Sequence, residues 1–332
     1  MSTPPWPDAA TLTAAIEDAC RAPSVHNTQP WTWLVGHRSL HLMADRSRWM
    51  RATDAEGRDL VISCGAALHH LRISLAARGW SAEDIQTSDD PDHLAALALR
   101  PAARTSSRQA LAIGTRRTDR RRYSGRKVPG DVLGELAAAA ATTGVLAVAV
   151  DQDSRLAVAV ALLAGAARQE PDADVRRELA FWSGRAAGGV DGVPAASAPP
   201  DAPHHGGIAM RAFPGGELPD PPTGAREPDA GELLVIATPD DGTTARLRAG
   251  EAAAAVLLTA EALGLAACPL SQGTEVEPVR AVLRRLLGSG EPQLVIRVGY
   301  APDGAPPLPP TPRRRADEVC HALPGATPAG IR

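Results

Sequence analysis

Two long alanine-rich stretches of this 332-residue chain can be laid over each other, and that overlay limits its possible architecture more than any other feature. Gly65, Ala67, Leu71, Ala77 and Gly79 fall at the spacing of Gly250, Ala252, Val256, Ala262 and Gly264. The first stretch predicts an amphipathic helix over Asp59–Arg78, with Leu60, Cys64, Leu68, Leu71 and Leu75 three and four residues apart. Gly79 is placed to end it. The second predicts a helix over Ala245–Leu263. After an intervening stretch each is followed by an apolar strand, Leu94–Leu99 in one case and Gln293–Val298 in the other. Such self-similarity suggests an internal duplication. Alanine-rich helices also align with unrelated ones, so the overlay alone leaves common descent open.

The rest of the chain divides around this repeat. Thr11–Cys20 predicts a helix, with Leu12, Ala15, Ile16 and Ala19 on one face, that stops before Pro23. Trp31–Val35 and Leu40–Ala44 read as strands joined by a turn at Gly36–Ser39. A second unit opens with a helix from Pro129 and Asp131 to Ala141 and a strand over Val145–Val150. Helices over Arg155–Gln169 and Val175–Ala187, a strand over Glu232–Ala237 and a helix over Val279–Leu287 complete it. The boundaries are therefore a first half over 1–110 and a second over 111–332. Residues 188–231, rich in Gly, Pro and Ala but carrying His204, His205, Ile208, Met210 and Phe213, read as a lid inserted in the second half. The arm 301–332 has six prolines by Pro312 and is expected to run extended over the surface without helix.

Composition narrows the function classes. Hydrophobic residues make up 44% and aromatics only 3%, so Ala, Leu and Val must fill the core. A net charge of −3 argues against a general nucleic-acid surface. Cys20, Cys64, Cys268 and Cys320 form no CxxC pair, which suits a reducing cytosol and no structural zinc. The N-terminus lacks a basic region followed by an apolar one, and the longest uncharged apolar run, Leu136–Val150, is 15 residues. A soluble cytoplasmic protein is expected, with neither membrane nor nucleic acid as partner.

Two segments carry the chemistry. In Ala22–Trp31, Pro23 and Pro30 remove two amide donors and fix φ. Between them Ser24, Asn27, Gln29 and the amides of Val25 and His26 can form a fan of donors and acceptors, the alternation that a pyrimidine-dione edge needs. The same side chains could instead cap the flanking helix and strand. Arg116 to Lys127 holds seven basic residues against Asp119. Guanidinium forks there, with the Thr118 hydroxyl, suit a phosphate dianion; a solvated basic face is the alternative. Pro269–Gly273 reads as a turn able to offer an amide to a ligand. His69-His70 and His204-His205 are adjacent pairs that do not share a helix face, so no metal site is expected.

These residues resemble the nitroreductase-like FMN-binding family, and more closely its Acg-type branch, in which one chain carries two nitroreductase-like halves. Ala22–Trp31 is similar to the family's APSxxNxQPW loop, and Arg116-Arg117-Thr118-Asp119-Arg120 to its RRSxR phosphate motif. Gln293–Tyr300 resembles the closing strand with its GY ending, and the arm with Arg313-Arg314-Arg315 the basic C-terminal arm. The resemblance covers roughly residues 8–320. It implies an α+β fold of two pseudo-symmetric halves, each with a mostly antiparallel sheet flanked by helices, in which a single chain imitates a dimer. It implies FMN as cofactor. Arg116, Arg117, Thr118 and Arg120 would meet phosphate, ribityl and the N1–O2 edge. Pro23, Ser24, Val25, Asn27 and Gln29 would line the ring from the other half. Leu270 and Ser271 would sit beside N5, and Arg313 or Arg315 would close on the phosphate. Two departures stand out: residues 1–10 contain no arginine, and Ala141-Thr142-Thr143-Gly144 stands where a second loop would be. One of the two pseudo-equivalent sites is therefore expected to be dead.

The implied activity is hydride transfer from NAD(P)H through flavin N5 to a small acceptor such as a nitroaromatic or quinone, with no catalytic side chain required. The long insert supports a rival reading, a flavin-sequestering protein under a closed lid. A third is a basic-patch interaction protein that holds no flavin.

Overall fold

The computed structural model describes residues 5–186, 189–219 and 228–325. The first residues of the first half, parts of the expected lid (188 and 220–227) and the end of the arm (326–332) lie outside the described residues. The first half begins with α1 (Ala9–Cys20), whose first turn is capped by Asp8 accepting from the Thr11 amide at 2.7 Å. Strands β1 (Trp31–Val35) and β2 (Leu40–Ala44) form a hairpin closed by Gly36 N–H on Ser39 C=O at 2.8 Å. The central helix α2 (Arg58–Ala77) follows, its first amides held by both Asp54 carboxylate oxygens at 2.7 and 2.9 Å. It ends at Gly79, φ +87°. Strands β3 (Trp80–Ile85) and β4 (His93–Pro101) complete the half, and α3 (Arg108–Thr115) leads out of it.

The second half repeats this order with an insertion. Helix α4 (Gly130–Ala141) and β5 (Leu146–Ala149) precede α5 (Gln152–Gln169), α6 (Ala173–Trp182) and the short ribbon β6 (His204–His205) and β7 (Ile208–Ala209). Then come β8 (Glu232–Thr238), helix α7 (Thr243–Ala262), β9 (Ala266–Leu270), α8 (Glu277–Leu287) and β10 (Glu291–Gly299). The arm adds α9 (Ala316–Val319) and β11 (Cys320–Ala322). Within the halves the sheets run β1-β2-β4-β3 and β5-β8-β10-β9, so each takes its first, second, fourth and third strand in that order, antiparallel throughout.

The repeated glycines explain how the halves meet. A Cβ on Gly65 would lie 1.9 Å from the Leu247 carbonyl oxygen, and one on Gly250 2.0 Å from that of Ile62. In each case the carbonyl belongs to the residue three before the other glycine, the reciprocal contact of a two-fold crossing. Only glycine lets the backbones of α2 and α7 approach this far.

The two sheets are buried differently. In β1 the side chains alternate, with Trp31, Trp33 and Val35 packed against α1 and α2. In the second sheet both faces are covered. Leu234, Ile236, Leu294 and Ile296 pack under α4 and α7, while Leu233, Val235 and Val295 pack under α5 and α8.

Four expectations need correction. The arm is not wholly extended. It forms α9 and then β11, which pairs parallel with β1 (Trp33 opposite Cys320) and gives the free edge of the first half's sheet its backbone partners. Helix α6 stops at Trp182, because Gly184 turns at φ +64° and Arg185 N–H bonds to Val193 C=O. Pro269 lies in strand β9 rather than in a turn; β9 is an edge strand, where proline is tolerated. Strand β3 and helix α3 were not foreseen, since the polar, half-exposed Trp80–Ile85 shows no apolar alternation and α3 buries only Ala112 and Ile113.

Candidate functional site

The loop after α1 is backbone strained into a fixed shape. His26, Asn27 and Gln29 take φ of +43°, +55° and +52°, conformations that cost non-glycine residues about 1–3 kcal/mol each. Hydrogen bonds hold them there. Val25 N–H donates to Ser63 Oγ at 3.0 Å, Gln29 N–H to Ser24 Oγ at 2.9 Å and Thr28 N–H to Val25 C=O at 2.9 Å.

This loop forms one wall of a cleft between the halves. Pro23, Ser24, Val25 and His26 face it from the first half, joined by Asp59, Ile62, Ser63 and Ala66 along one side of α2. The second half supplies Thr118, Arg120, Ala253, Leu257, Cys268, Leu270, Ser271 and Gln272, and the insert lays Met210, Arg211 and Phe213 across it. The walls mix apolar side chains such as Ile62, Met210, Phe213, Leu257 and Leu270 with polar and charged ones such as Ser24, Asp59, Arg120 and Gln272, the make-up of a site for a flat ring with a polar edge.

The cationic motif runs from this cleft into a second depression. Residues 116–120 leave α3 in extended form, and Thr118 bridges to Ala267 at the edge of β9. Thr118 and Arg120 therefore reach the cleft, while Arg116 and Arg117 open onto a neighbouring pocket shared with Arg313, Arg314 and Arg315 of the arm. Arg120 is held by Ser197 C=O at 2.9 Å and by the Phe213 ring, 4.6 Å from the guanidinium carbon. Arg121 forms a buried two-pronged pair with Asp119, at 3.0 and 2.8 Å, and is structural.

Among the described residues neither Arg116 nor Arg313 forms an ion pair, and the Nε atoms of Arg116, Arg117 and Arg313 are buried without a hydrogen-bond partner. Burial, then the nearby Arg117, pushes Arg116 down to about 10. Burial, then Arg116 and Arg117, pushes Arg313 down to about 9. Unpaired cations this close are expensive; a dianionic group placed among them would satisfy the forks and remove the repulsion.

The expected site residues separate in space. Pro23, Ser24, Val25, Thr118, Arg120, Leu270 and Ser271 line the cleft; Arg116, Arg117, Arg313 and Arg315 line the basic pocket. Arg315 is three-quarters exposed and pairs with Asp317 at 3.0 Å. The Val25 amide is taken by Ser63 and is not free for a ligand. Asn27 and Gln29 line neither space. Asn27 Nδ2 donates to Gly192 C=O at 2.9 Å and Pro312 C=O at 3.2 Å. Gln29 donates to Val190 C=O at 2.9 Å and accepts from the Arg314 amide at 2.7 Å. Both side chains thus clamp the insert and the arm onto the loop.

The structure adds residues that sequence reading passed over. His26 packs at a tilt of 43° against Phe213, with ring centroids 5.3 Å apart; burial, then Arg211 and Arg120, holds its imidazole well below the usual range. Asp59, Ile62, Ser63 and Ala66 sit at helical spacing on one side of α2, so polar positions in an otherwise buried helix were the available signal for Asp59. No pattern pointed to Arg211, which reaches the cleft only through the fold of the insert.

The pseudo-equivalent position is occupied differently. Under the glycine overlay, Ala66 corresponds to Glu251 and Leu257 to Arg72. Arg72 and Glu251 pair at 2.9 Å, and Arg72 also binds Asp84 at 2.5 Å. Where one position keeps two apolar walls apart, the other is bridged by charge.

Comparison with known proteins finds relatives along nearly the whole chain. The model of the Nitroreductase family matches residues 218–300. A protein of Mycobacterium tuberculosis H37Rv that bears the provisional name NAD(P)H nitroreductase is 44% identical over 321 residues, 95% of this chain and 92% of its own length. A second from that strain, named acg and provisionally an NAD(P)H nitroreductase, is 35% identical over 323 residues, 93% and 95% of the two chains. An FMN-bound nitroreductase from Bacteroides fragilis aligns with 60% of this chain and 92% of its own, at 19% identity and a TM-score of 0.37. With relatives this similar along nearly its whole length, the chain belongs to the nitroreductase family, in its Acg-type branch.

Proposed function

We propose that the protein is an FMN-dependent NAD(P)H oxidoreductase acting on a small aromatic or quinone acceptor, with one flavin site per chain. One observation carries this reading: an arginine-rich pocket, in which, among the described residues, Arg116 and Arg313 form no ion pair and only Glu17 adds a carboxylate to the wall, opening beside a mixed apolar and polar cleft built by both halves. FMN fits because its phosphate and its ring call for these two environments side by side. When bound, it supplies the relay of a hydride from reduced nicotinamide to the acceptor.

The chain's own part is binding and electrostatics. Arg116, Arg117 and Arg313 would hold the phosphate by charge-assisted bonds. Thr118, which lines the cleft next to Arg116, would offer its hydroxyl to the ribityl chain. Arg120, braced by Ser197 and Phe213, would set a positive charge in the cleft, where it could stabilise negative charge on a reduced flavin. Pro23, Ser24 and Val25 form one wall of the ring site, and Leu270 and Ser271 form the other. Arg315 has a lesser part, since Asp317 already neutralises it. The proposed setting is the cytoplasm, where the four free thiols stay reduced. The Arg58–Ala77 helix is long and apolar enough to cross a membrane, but 72% of its apolar window is buried inside the protein.

Uptake of FMN by the purified protein, followed by anaerobic mixing with NADH or NADPH, tests the proposal. Bleaching of the flavin band is expected; an unbleached flavin would remove the enzyme reading. A second reading, flavin sequestration, rests on the insert. Met210, Arg211 and Phe213 lie in the cleft, and Arg211 is tied to Glu275 at 2.6 Å. An unbleached but tightly held flavin is its signature.

A further inference from the structure

We infer that Asp59 is a proton donor to the acceptor bound in the cleft. The inference rests on the oxidoreductase reading above. Asp59 lies in the first turn of α2, lines the cleft and is 4% exposed, yet its Oδ2 has no hydrogen-bond partner.

The neighbouring carboxylates are differently placed. Asp54, in the loop before α2, accepts from the Arg58 and Leu60 amides. Glu275, in the loop after β9, accepts from Ser271 Oγ at 2.5 Å, Gln169 Nε2 at 2.6 Å and Arg211 Nη2 at 2.6 Å. The cations around Asp59 are committed elsewhere: Arg58 to Asp241 and Gln293, Arg211 to Glu275, and Arg120, on the same cleft, to Ser197 C=O. A buried carboxyl with no donor of its own, beside two carboxylates, is stable as the neutral acid. Burial, then Asp54 and Glu275, accordingly raises it well above the usual carboxylate range.

The chemistry can use such a group, although water could also supply the proton. A quinone reduced to hydroquinone takes one hydride, supplied by reduced nicotinamide through the flavin, and one proton. In the proposed step the Asp59 O–H bond breaks and an O–H bond forms on the quinone oxygen. The carboxylate left behind recovers its proton from water when the product leaves. A positioned acid of this kind contributes about 10²–10⁴ in rate.

Two measurements test it. Carbon-13 NMR of the flavin-free protein should show one aspartate carboxyl still protonated at neutral pH and missing from Asp59→Asn. Burial also raises Asp54, to about 6, so the assignment rests on the variant: if no aspartate signal that Asp59→Asn removes stays protonated at neutral pH, the inference is overturned. With flavin bound and reduced anaerobically, reoxidation by benzoquinone is compared with reoxidation by ferricyanide, which takes electrons without protons. In Asp59→Asn the quinone-to-ferricyanide rate ratio should fall about a hundredfold. An unchanged ratio in a flavin-loaded variant overturns this inference alone, whereas a wild type that takes up no FMN overturns the function reading together with it.

Discussion

At the scale of single residues, the two ends of the site ask opposite things of charge. In the basic pocket Arg116 and Arg313 form no ion pair among the described residues, so their contribution appears chiefly when an anion arrives. Arg313→Ala is expected to weaken FMN binding about ten- to a hundredfold, the worth of one or two charged hydrogen bonds, and to leave riboflavin, which lacks the phosphate, nearly unaffected. Calorimetric titration with both ligands checks this. At the other end a carboxyl is held neutral. Because the folded pKa of Asp59 is raised, the folded chain keeps a proton that the unfolded chain releases above about pH 4. Stability from this group is therefore full in acid and is lost as pH rises towards the folded value. Asp59→Asn, which never ionises, should be more stable than wild type at pH 8, and the gap should close near pH 4. Urea unfolding at the two pH values decides it.

At the scale of elements, the crossing of α2 and α7 is the tightest demand in the molecule. Gly65→Ala places a methyl 1.9 Å from a carbonyl oxygen, so the helices must separate, at about 1–3 kcal/mol or more. Gly134→Ala, on the exposed side of α4 with nothing within 4 Å, should instead stabilise by about 0.5–1 kcal/mol. Denaturant midpoints of the pair separate close packing from helix propensity. These elements were largely legible in advance, because a helix buried on one face and a half-buried strand write their periods into the chain. The insert was less so. Its apolar residues signalled a covering role, but Arg211 and Phe213 reach the cleft through a path with no period. Removing residues 189–215 should speed FMN release several-fold, measured by stopped-flow dilution into excess flavin-binding competitor; unchanged release would show that the insert does not retain ligand.

At the scale of the whole molecule, one chain arranges two like halves about a near-two-fold crossing and then breaks the symmetry. The Arg72–Glu251 pair closes one pseudo-equivalent position, while the loop, the insert and the arm converge on the other. The arm matters most here, since it brings Arg313 to the basic pocket and β11 to the edge of β1 in one crossing. A chain ending at Ala301 should lose FMN affinity beyond that lost in Arg313→Ala, and backbone amides along Trp31–Val35 should exchange faster with deuterium. Mass-spectrometric exchange together with FMN titration tests both effects.

The order of residues was enough to show the repeated helices, most strand positions and the two chemical segments, because local periodicity and turn chemistry act within a few residues. It could not show that Asn27 and Gln29 would be spent on clamping, that Val25 would give its amide to Ser63, or that Asp59 would be left without a donor. Those outcomes depend on which groups meet after residues as far apart as 27 and 312 are brought together, and a hydrogen bond or a desolvated charge is settled only by its neighbours in space.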